Sequence, residues 1–202
     1  MLALRGDAVF IVVLPTGAGK SVLFLLPAVP ALDAGVSVVV VPFVALVGDL
    51  VRRARTAGLD CLYWRPAEAA GREGPARVAR LVLVSADVAS TPEFLVYVDS
   101  LRARGLLGRI FVDECHTVLI DAVYRPRLPE VRAVYRFDCP VVLLTATLPV
   151  RLERPFRELM LAEDAALLRA RTTKRNIRYR VETVPPRPGA VDEEVVRTVR
   201  AF

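Results

Sequence analysis

Four successive valines, Val38-Val39-Val40-Val41, and the later run Val141-Val142-Leu143-Leu144 restrict the fold more than any other feature of this chain. Side chains alternate between the two faces of a strand, so a strand apolar at every position must be covered on both sides. Comparable runs occur at Ala8–Leu14, Leu59–Tyr63, Leu81–Ser85 and Arg109–Val112, with the first two extending over Val36–Val41 and Val141–Leu144. Between them lie helical patterns at Lys20–Ala34, Phe43–Ala57, Pro92–Arg104, Leu128–Tyr135 and Pro149–Leu161. Alternation of this kind predicts an α/β domain with a largely parallel sheet and helices on both faces. A chain of 202 residues with 54% hydrophobic content is long enough for one well-filled core, and too apolar to be mostly disordered. The apolar runs Val22–Leu32 and Val36–Val47 fall short of the ~20 residues that span a bilayer, so they read as core elements and no membrane partner is expected. Ala67–Pro75, with Gly71, Gly74 and Pro75, reads as a surface loop.

The charge is unevenly distributed. The chain carries 28 basic and 22 acidic residues, for a net +6, and all the basic residues are arginine except Lys20 and Lys174. Six basic residues and no acidic one fall within Arg169–Arg180, so the rest of the chain balances to zero. Pro185-Pro186-Arg187-Pro188-Gly189 follows as a stiff linker, and Val191–Phe202 reads as a short helix. The expected division is residues 1–183 as one domain and 184–202 as a connector. Cys61, Cys115 and Cys139 form no CxxC pair, and the single histidine, His116, cannot complete a Cys/His zinc cluster. A reducing compartment and no zinc are expected. Arg5 followed by an apolar stretch imitates a signal peptide, but that stretch runs directly into a glycine-rich loop with its own use.

That loop is Pro15-Thr16-Gly17-Ala18-Gly19-Lys20-Ser21, set between a strand and a helical pattern, the context a phosphate-binding loop requires. Glycines let the backbone curl so that several N–H groups face one phosphate. Lys20 is then placed to reach the β- and γ-phosphates, and Ser21 to ligate Mg²⁺. Leu14 stands where the usual GxxxxGK[ST] pattern has its first glycine. A plain helix-capping turn is the competing reading, but it does not require Lys and Ser after Gly19. A second cluster, Asp113-Glu114-Cys115-His116, ends the strand Ile110-Phe111-Val112. Carboxylates there lie on the edge of a parallel sheet where ligands bind. Asp113 is expected to hold Mg²⁺ through water, and Glu114 to position or deprotonate the water that attacks the γ-phosphate. By itself such a pair is more often a helix cap or a solvated loop. The third cluster, Thr145-Ala146-Thr147, is placed to hydrogen-bond His116 or Glu114, with an N-cap at Thr147 near Pro149 as the alternative.

Taken together, the residues Leu14–Ser21, Val41-Pro42 with Leu46 and Asp49, Asp113–His116 and Leu144–Thr147 resemble motifs I, Ia, II and III of superfamily 2 helicases of the DEAD/DEAH-box type. Their order and spacing are most similar to RecQ-type DNA helicases. Thr173-Lys174-Arg175-Asn176-Ile177-Arg178-Tyr179-Arg180-Val181 resembles the Arg-x-Asn-Ile/Leu-x-Tyr stretch by which RecQ proteins leave their first lobe. With Leu83-Val84-Ser85-Ala86-Asp87 added, the chain looks most like the RecQ-like helicases of fungal genomes, telomere-linked ones included. The family's Thr-Pro-Glu after the fourth strand is matched in position by Ser85-Ala86-Asp87 and in letters by Thr91-Pro92-Glu93. Its aromatic-rich loop is replaced by Thr117–Pro126, of which only Tyr124-Arg125-Pro126 is similar.

The resemblance implies a RecA-like P-loop NTPase lobe of an ATP-dependent, 3′ to 5′ DNA helicase of recombination and repair, working in the nucleus. It implies ATP and Mg²⁺ as cofactors, with Pro15, Thr16, Gly17, Ala18, Gly19, Lys20 and Ser21 cradling the phosphates, Ser21 and Asp113 holding the metal, and Glu114 activating water. His116, Thr145 and Thr147 would couple that site to DNA. The DNA, a single strand or duplex junction, would be held through its phosphates by Pro42–Asp49 and Ser85–Thr91. The chain is expected to be incomplete at its N-terminus, without the Gln-containing adenine-reading motif. A second RecA-like lobe with its arginine finger, and zinc and winged-helix domains, are likewise expected to be missing, which leaves nucleotide binding with little hydrolysis. Two other classes share the loop: an inert helicase remnant serving as an interaction module, and a P-loop phosphotransferase.

Overall fold

Strands that are apolar on both faces do build a sheet buried on both faces. The computed structural model describes residues 9–29, 35–66, 77–120, 128–172, 181 and 183–200. The chain divides into two units, Met1–Thr172 and Thr173–Phe202. In the first, seven strands run β1 (Val9–Val13), β2 (Val36–Val41), β3 (Cys61–Tyr63), β4 (Leu81–Ser85), β5 (Leu107–Val112), β6 (Val141–Thr145) and β7 (Ala166–Arg169). They form one sheet in the order β3-β4-β2-β5-β6-β1-β7, every pairing parallel. The helices are α1 (Val22–Leu25), α2 (Val44–Thr56), α3 (Ala86–Ala89), α4 (Pro92–Ala103), α5 (Thr117–Ile120) and α6 (Val150–Met160), with 3-10 helices at Leu26–Ala28 and Leu128–Phe137.

The pleat divides the valine runs between two cores. Val38 and Val40, Val82 and Val84, Ile110 and Val112, and Val141 and Leu143 face a cluster closed by Phe94 and Leu101 of α4, Val131 and Phe137 of the second 3-10 helix, and Phe156 and Met160 of α6. Val39, Val41, Leu81, Leu83, Phe111, Val142 and Leu144 face the other, closed by Phe24 of α1 and by Val47, Leu50 and Ala54 of α2. Trp64 completes the first core, edge-on to Phe94 at 5.1 Å between ring centroids. The RecA-like α/β architecture expected from the motifs is therefore present.

Three elements depart from expectation. Of the helix expected over Lys20–Ala34, the described part holds α1, four residues long, and the 3-10 turn Leu26–Ala28, while residues 30–34 lie outside the described residues. Pro27 has no N–H to continue the α ladder, and Val29, held before Pro30, is extended at ψ 121°. The segment expected as α-helix at Leu128–Tyr135 is a 3-10 helix through Phe137. Its buried residues Val131, Val134 and Phe137 recur every third position, matching three residues per turn. Strand β7 is additional: an edge strand paired with β1, it begins Ala-Leu-Leu, which read locally as helix-forming.

In the second unit, α7 (Ala190–Arg200) follows the Pro-rich stretch. Arg187 pairs with Glu193 across its first turn, and Val191, Val195, Val196 and Val199 are exposed. The loop expected at Ala67–Pro75 and the Tyr124-Arg125-Pro126 match lie outside the described residues, as do Lys174, Arg175, Arg178 and Arg180 of the basic segment.

Candidate nucleotide site

Parallel strands deliver their carboxyl ends to one edge of the sheet, and all three motifs are found there. β1 pairs with β6 one residue past its end, Leu14 N–H donating to the Thr145 carbonyl at 3.0 Å, and the chain then turns away. Gly17 and Gly19 adopt φ of 85° and 82°, a region that disfavours residues with a Cβ, and so make the curl possible. Ala18 N–H closes the turn onto the Pro15 carbonyl at 3.1 Å. Among the described residues, the N–H groups of Gly17, Gly19, Lys20 and Ser21 donate to no backbone carbonyl, while Val22 and Leu23 bond back to Gly19 and Lys20. This leaves a set of unsatisfied donors beside the Lys20 ammonium, the composition of an anion cradle. Because α1 has only four residues, the cradle depends on these amides and on Lys20 more than on a helix dipole.

The acidic turn after β5 is fastened to both neighbouring strands. Asp113 N–H donates to Val40 of β2 at 2.8 Å, and Cys115 N–H donates to Leu144 of β6 at 3.0 Å. Between these bonds Glu114 has φ 45°, a left-handed conformation that costs a non-glycine residue about 1–2 kcal/mol. Local bonds hold it there: Glu114 N–H donates to Asp113 Oδ1 at 3.0 Å, and the Thr117 hydroxyl donates to the Glu114 carbonyl at 2.9 Å. The strained backbone aims the side chain at the glycine-rich loop, where Glu114 Oε1 lies 3.9 Å from Lys20 Nζ. Its other oxygen lies 3.4 Å from His116 Nδ1, and the same nitrogen is 2.9 Å from Thr145 Oγ1. Thr145 Oγ1 in turn accepts the Thr147 N–H at 3.1 Å.

Lys20, Glu114, His116, Thr145 and Thr147 thus form one continuous polar chain, with Asp113 attached through the turn. The N-cap alternative at Thr147 is excluded, since α6 begins after Pro149 without a side-chain cap. Ser21 stands apart: its hydroxyl accepts a hydrogen bond from Arg53 Nη2 of α2 at 2.9 Å. Thr91-Pro92-Glu93, the literal match to the family tripeptide, is the start of α4, with Thr91 Oγ1 accepting from Phe94 N–H. Ser85 instead ends β4 on the ligand edge, with Ala86 and Asp87 opening α3. Arg169, the first residue of the basic segment, is tied into the fold. At the end of β7 it donates to the Leu148 carbonyl at 2.6 Å and pairs with Glu153 at 3.1 Å. Sequence reading gave no role to Arg53, which lies in no recognisable pattern, or to Thr117, although it directly follows His116.

Adjacent carboxyls in this site are pushed in opposite directions. Burial, then the charge of Glu114, raise Asp113 to about 6. The recess behind it is lined by Val40, Val112, Val118 and Val131, which explains the loss of solvation. Glu114 is held below the usual carboxylate range, first by its hydrogen bond from His116 and, against opposing burial, by Lys20. The two carboxyls therefore lose their protons over different pH ranges: Glu114 is already an anion where Asp113 still titrates, and both are largely ionised at neutral pH. Among the described residues no group of three or more His, Cys, Asp or Glu could cage a metal. A hydroxyl and a lone carboxylate instead suit Mg²⁺, which takes its remaining ligands from water and phosphate oxygens.

The chain is similar to known proteins. The family model described as DEAD/DEAH box helicase matches residues 1–154. Over 195 residues the chain is 31% identical to ATP-dependent DNA helicase Q5 of Rattus norvegicus, covering 90% of this chain and 20% of the relative. It is 28% identical to RecQ-like DNA helicase blm-1 of Caenorhabditis elegans, covering 83% and 18%, and 27% identical to ATP-dependent helicase SGS1 of Saccharomyces cerevisiae, covering 88% and 13%. The chain therefore spans a fifth or less of the length of these three relatives. Among solved structures, the DUF1998 helicase MrfA superposes with TM-score 0.56 at 19% identity, over 96% of this chain and 32% of that one. A DNA-bound crystal form of MrfA gives 0.55 at 17% identity, over 80% and 23%. These superpositions speak to the fold. The motif residues joined at the ligand edge all lie within the family match, and on that ground the chain belongs to the DEAD/DEAH box helicases.

Proposed function

We propose that this chain is the ATP-binding lobe of a RecQ-like, 3′ to 5′ DNA helicase, with residues 1–183 forming the lobe and 184–202 leading toward a second one. The observation that carries the reading is the continuous contact from Lys20 through Glu114, His116 and Thr145 to Thr147, which ties phosphate loop, acidic turn and third motif into one unit. Lys20 and the loop amides bind the phosphate tail. Ser21 and Asp113 hold Mg²⁺, which neutralises phosphate charge when bound. Glu114, kept anionic, orients the attacking water and accepts its proton, while His116 fixes the carboxylate and Thr145 fixes the imidazole. Because Thr147 reports on Thr145 through its own backbone, a change at Glu114 is passed along the sheet edge. On that edge Pro42–Asp49 and Ser85–Thr91 would meet DNA phosphates.

In this reading the arginine finger belongs to the second lobe, and such a group contributes about 10³–10⁵ in rate. The purified chain should bind Mg-nucleotide weakly, in a manner abolished by Lys20→Ala, and turn it over slowly with or without DNA. Brisk DNA-stimulated turnover abolished by Lys20→Ala would refute the dependence on a second lobe. Absence of any thermal shift at millimolar Mg-ATP would favour an inert interaction module, and phosphorylation of small hydroxyl acceptors a phosphotransferase.

A further inference from the structure

The Ser21 hydroxyl, the expected magnesium ligand of the loop, is held by a cation supplied by the protein. Arg53 Nη2 donates to Ser21 Oγ at 2.9 Å, bridging α2 to the loop. Among the described residues Arg53 pairs with no carboxylate, whereas its neighbour Arg52 pairs with Asp49. The placement is not free to drift. Val47, Leu50 and Ala54 of α2 share a buried cluster with Phe24 and Ala28, so the helix that carries Arg53 and the segment that follows Ser21 are packed in one core.

We propose that Arg53 is a built-in substitute for the metal at this site: its guanidinium and Mg²⁺ compete for Ser21, and in the absence of metal Arg53 holds the nucleotide's phosphates. This inference rests on the nucleotide-binding reading above. A hydroxyl that accepts from a guanidinium has less electron density to offer a dication, and two cations so close repel. Conversely, a guanidinium has five N–H donors in a rigid fork that matches phosphate oxygens, and one bond to Ser21 leaves others available. Arg53 therefore lowers the metal dependence of nucleotide affinity and raises the concentration of Mg²⁺ needed to displace it.

The test is binding of a fluorescent N-methylanthraniloyl ADP to the full 202-residue chain, first in EDTA and then across a magnesium titration. Arg53→Ala should weaken binding in EDTA roughly 10-fold or more, the loss of a charge-assisted hydrogen bond to phosphate. It should also lower the half-saturating Mg²⁺ severalfold. Arg53→Lys, which keeps charge without the fork, should fall between the two. Arg53 is exposed on its helix, so the unfolding midpoint without nucleotide should be unchanged in both variants. Lys20-dependent binding that is indifferent to Arg53 in EDTA and in magnesium overturns the assignment of Arg53 alone. No binding by the unsubstituted chain under either condition overturns the nucleotide reading and this inference with it.

Discussion

Replacing Asp113 by asparagine should stabilise the metal-free protein while removing a ligand. Burial and the neighbouring Glu114 raise this carboxyl from 3.8 to about 6, a displacement of about 2 pH units. At about 1.4 kcal/mol per unit, keeping Asp113 ionised costs the folded state up to about 3 kcal/mol. The sign follows from the direction of the shift. Where a carboxyl is raised in the folded state, the cost is fully present above pH 6, shrinks as pH falls, and is gone below pH 3.8. Asparagine retains an oxygen for the Glu114 N–H, so the turn keeps its bond. In EDTA at pH 7.5, Asp113→Asn should gain about 1–3 kcal/mol in urea unfolding, or roughly 2–4 °C in Tm for each kcal/mol. At pH 4 the two proteins should converge. With saturating Mg-nucleotide the gap should narrow or reverse, because the aspartate form keeps its metal ligand and is stabilised more by Mg-nucleotide. Equal stability at pH 7.5 in EDTA, or a gain that persists unchanged at pH 4, would refute the burial argument.

Other perturbations test the scaffold and the polar chain. Gly108→Ala should cost about 1–3 kcal/mol, since a Cβ there would meet Gly35 Cα at 3.0 Å where the β2–β5 register shifts; chemical denaturation measures it. Phe94→Ala removes a fully buried ring that packs on Trp64 and should cost about 3–5 kcal/mol, visible also as a red-shifted tryptophan emission. Arg169→Ala and Glu153→Gln should each destabilise by about 1–2 kcal/mol, and the double variant by less than their sum, because both belong to one ion-pair network. Glu114→Gln should leave nucleotide affinity within a few-fold and depress single-turnover hydrolysis by at least about 10²-fold; unchanged turnover would remove Glu114 from the chemistry.

Much of this molecule is written in short-range patterns, and the exceptions have physical causes. Val36–Val41 and Leu81–Ser85 occur where expected because short runs of apolar residues, rich in valine and apolar on both faces, admit one environment, a strand between two apolar layers. β7 was hidden because Ala166, Leu167 and Leu168 favour helix locally, and only the open edge of β1 recruits them as a strand. The α-helix after the loop stops sooner than its apolar residues suggest because Pro27 cannot continue the α ladder. In the site, Lys20, Asp113, Glu114, His116 and Thr145 were legible because each lies just beyond a recognisable strand, and parallel topology carries all such positions to one edge. Arg53 was not, being one arginine among several in α2 and significant only through a contact made 32 residues away.

The strand order has a mechanical consequence. β6 lies between β1 and β5, and neighbouring strands are about 4.8 Å apart, so the roots of the phosphate loop and the acidic turn are separated by roughly 10 Å of rigid, hydrogen-bonded sheet. The 3.9 Å approach of Lys20 to Glu114 is made beyond that fixed span, by the loop, the turn and the two side chains they carry. Swinging two flexible side chains apart takes nanoseconds and no backbone work, whereas moving the strands would break the ladder on both sides of β6. The jaw that admits a phosphate tail is thus hinged at rotamers and anchored in a stationary frame, leaving slower motions free to serve whatever the lobe meets along its ligand edge.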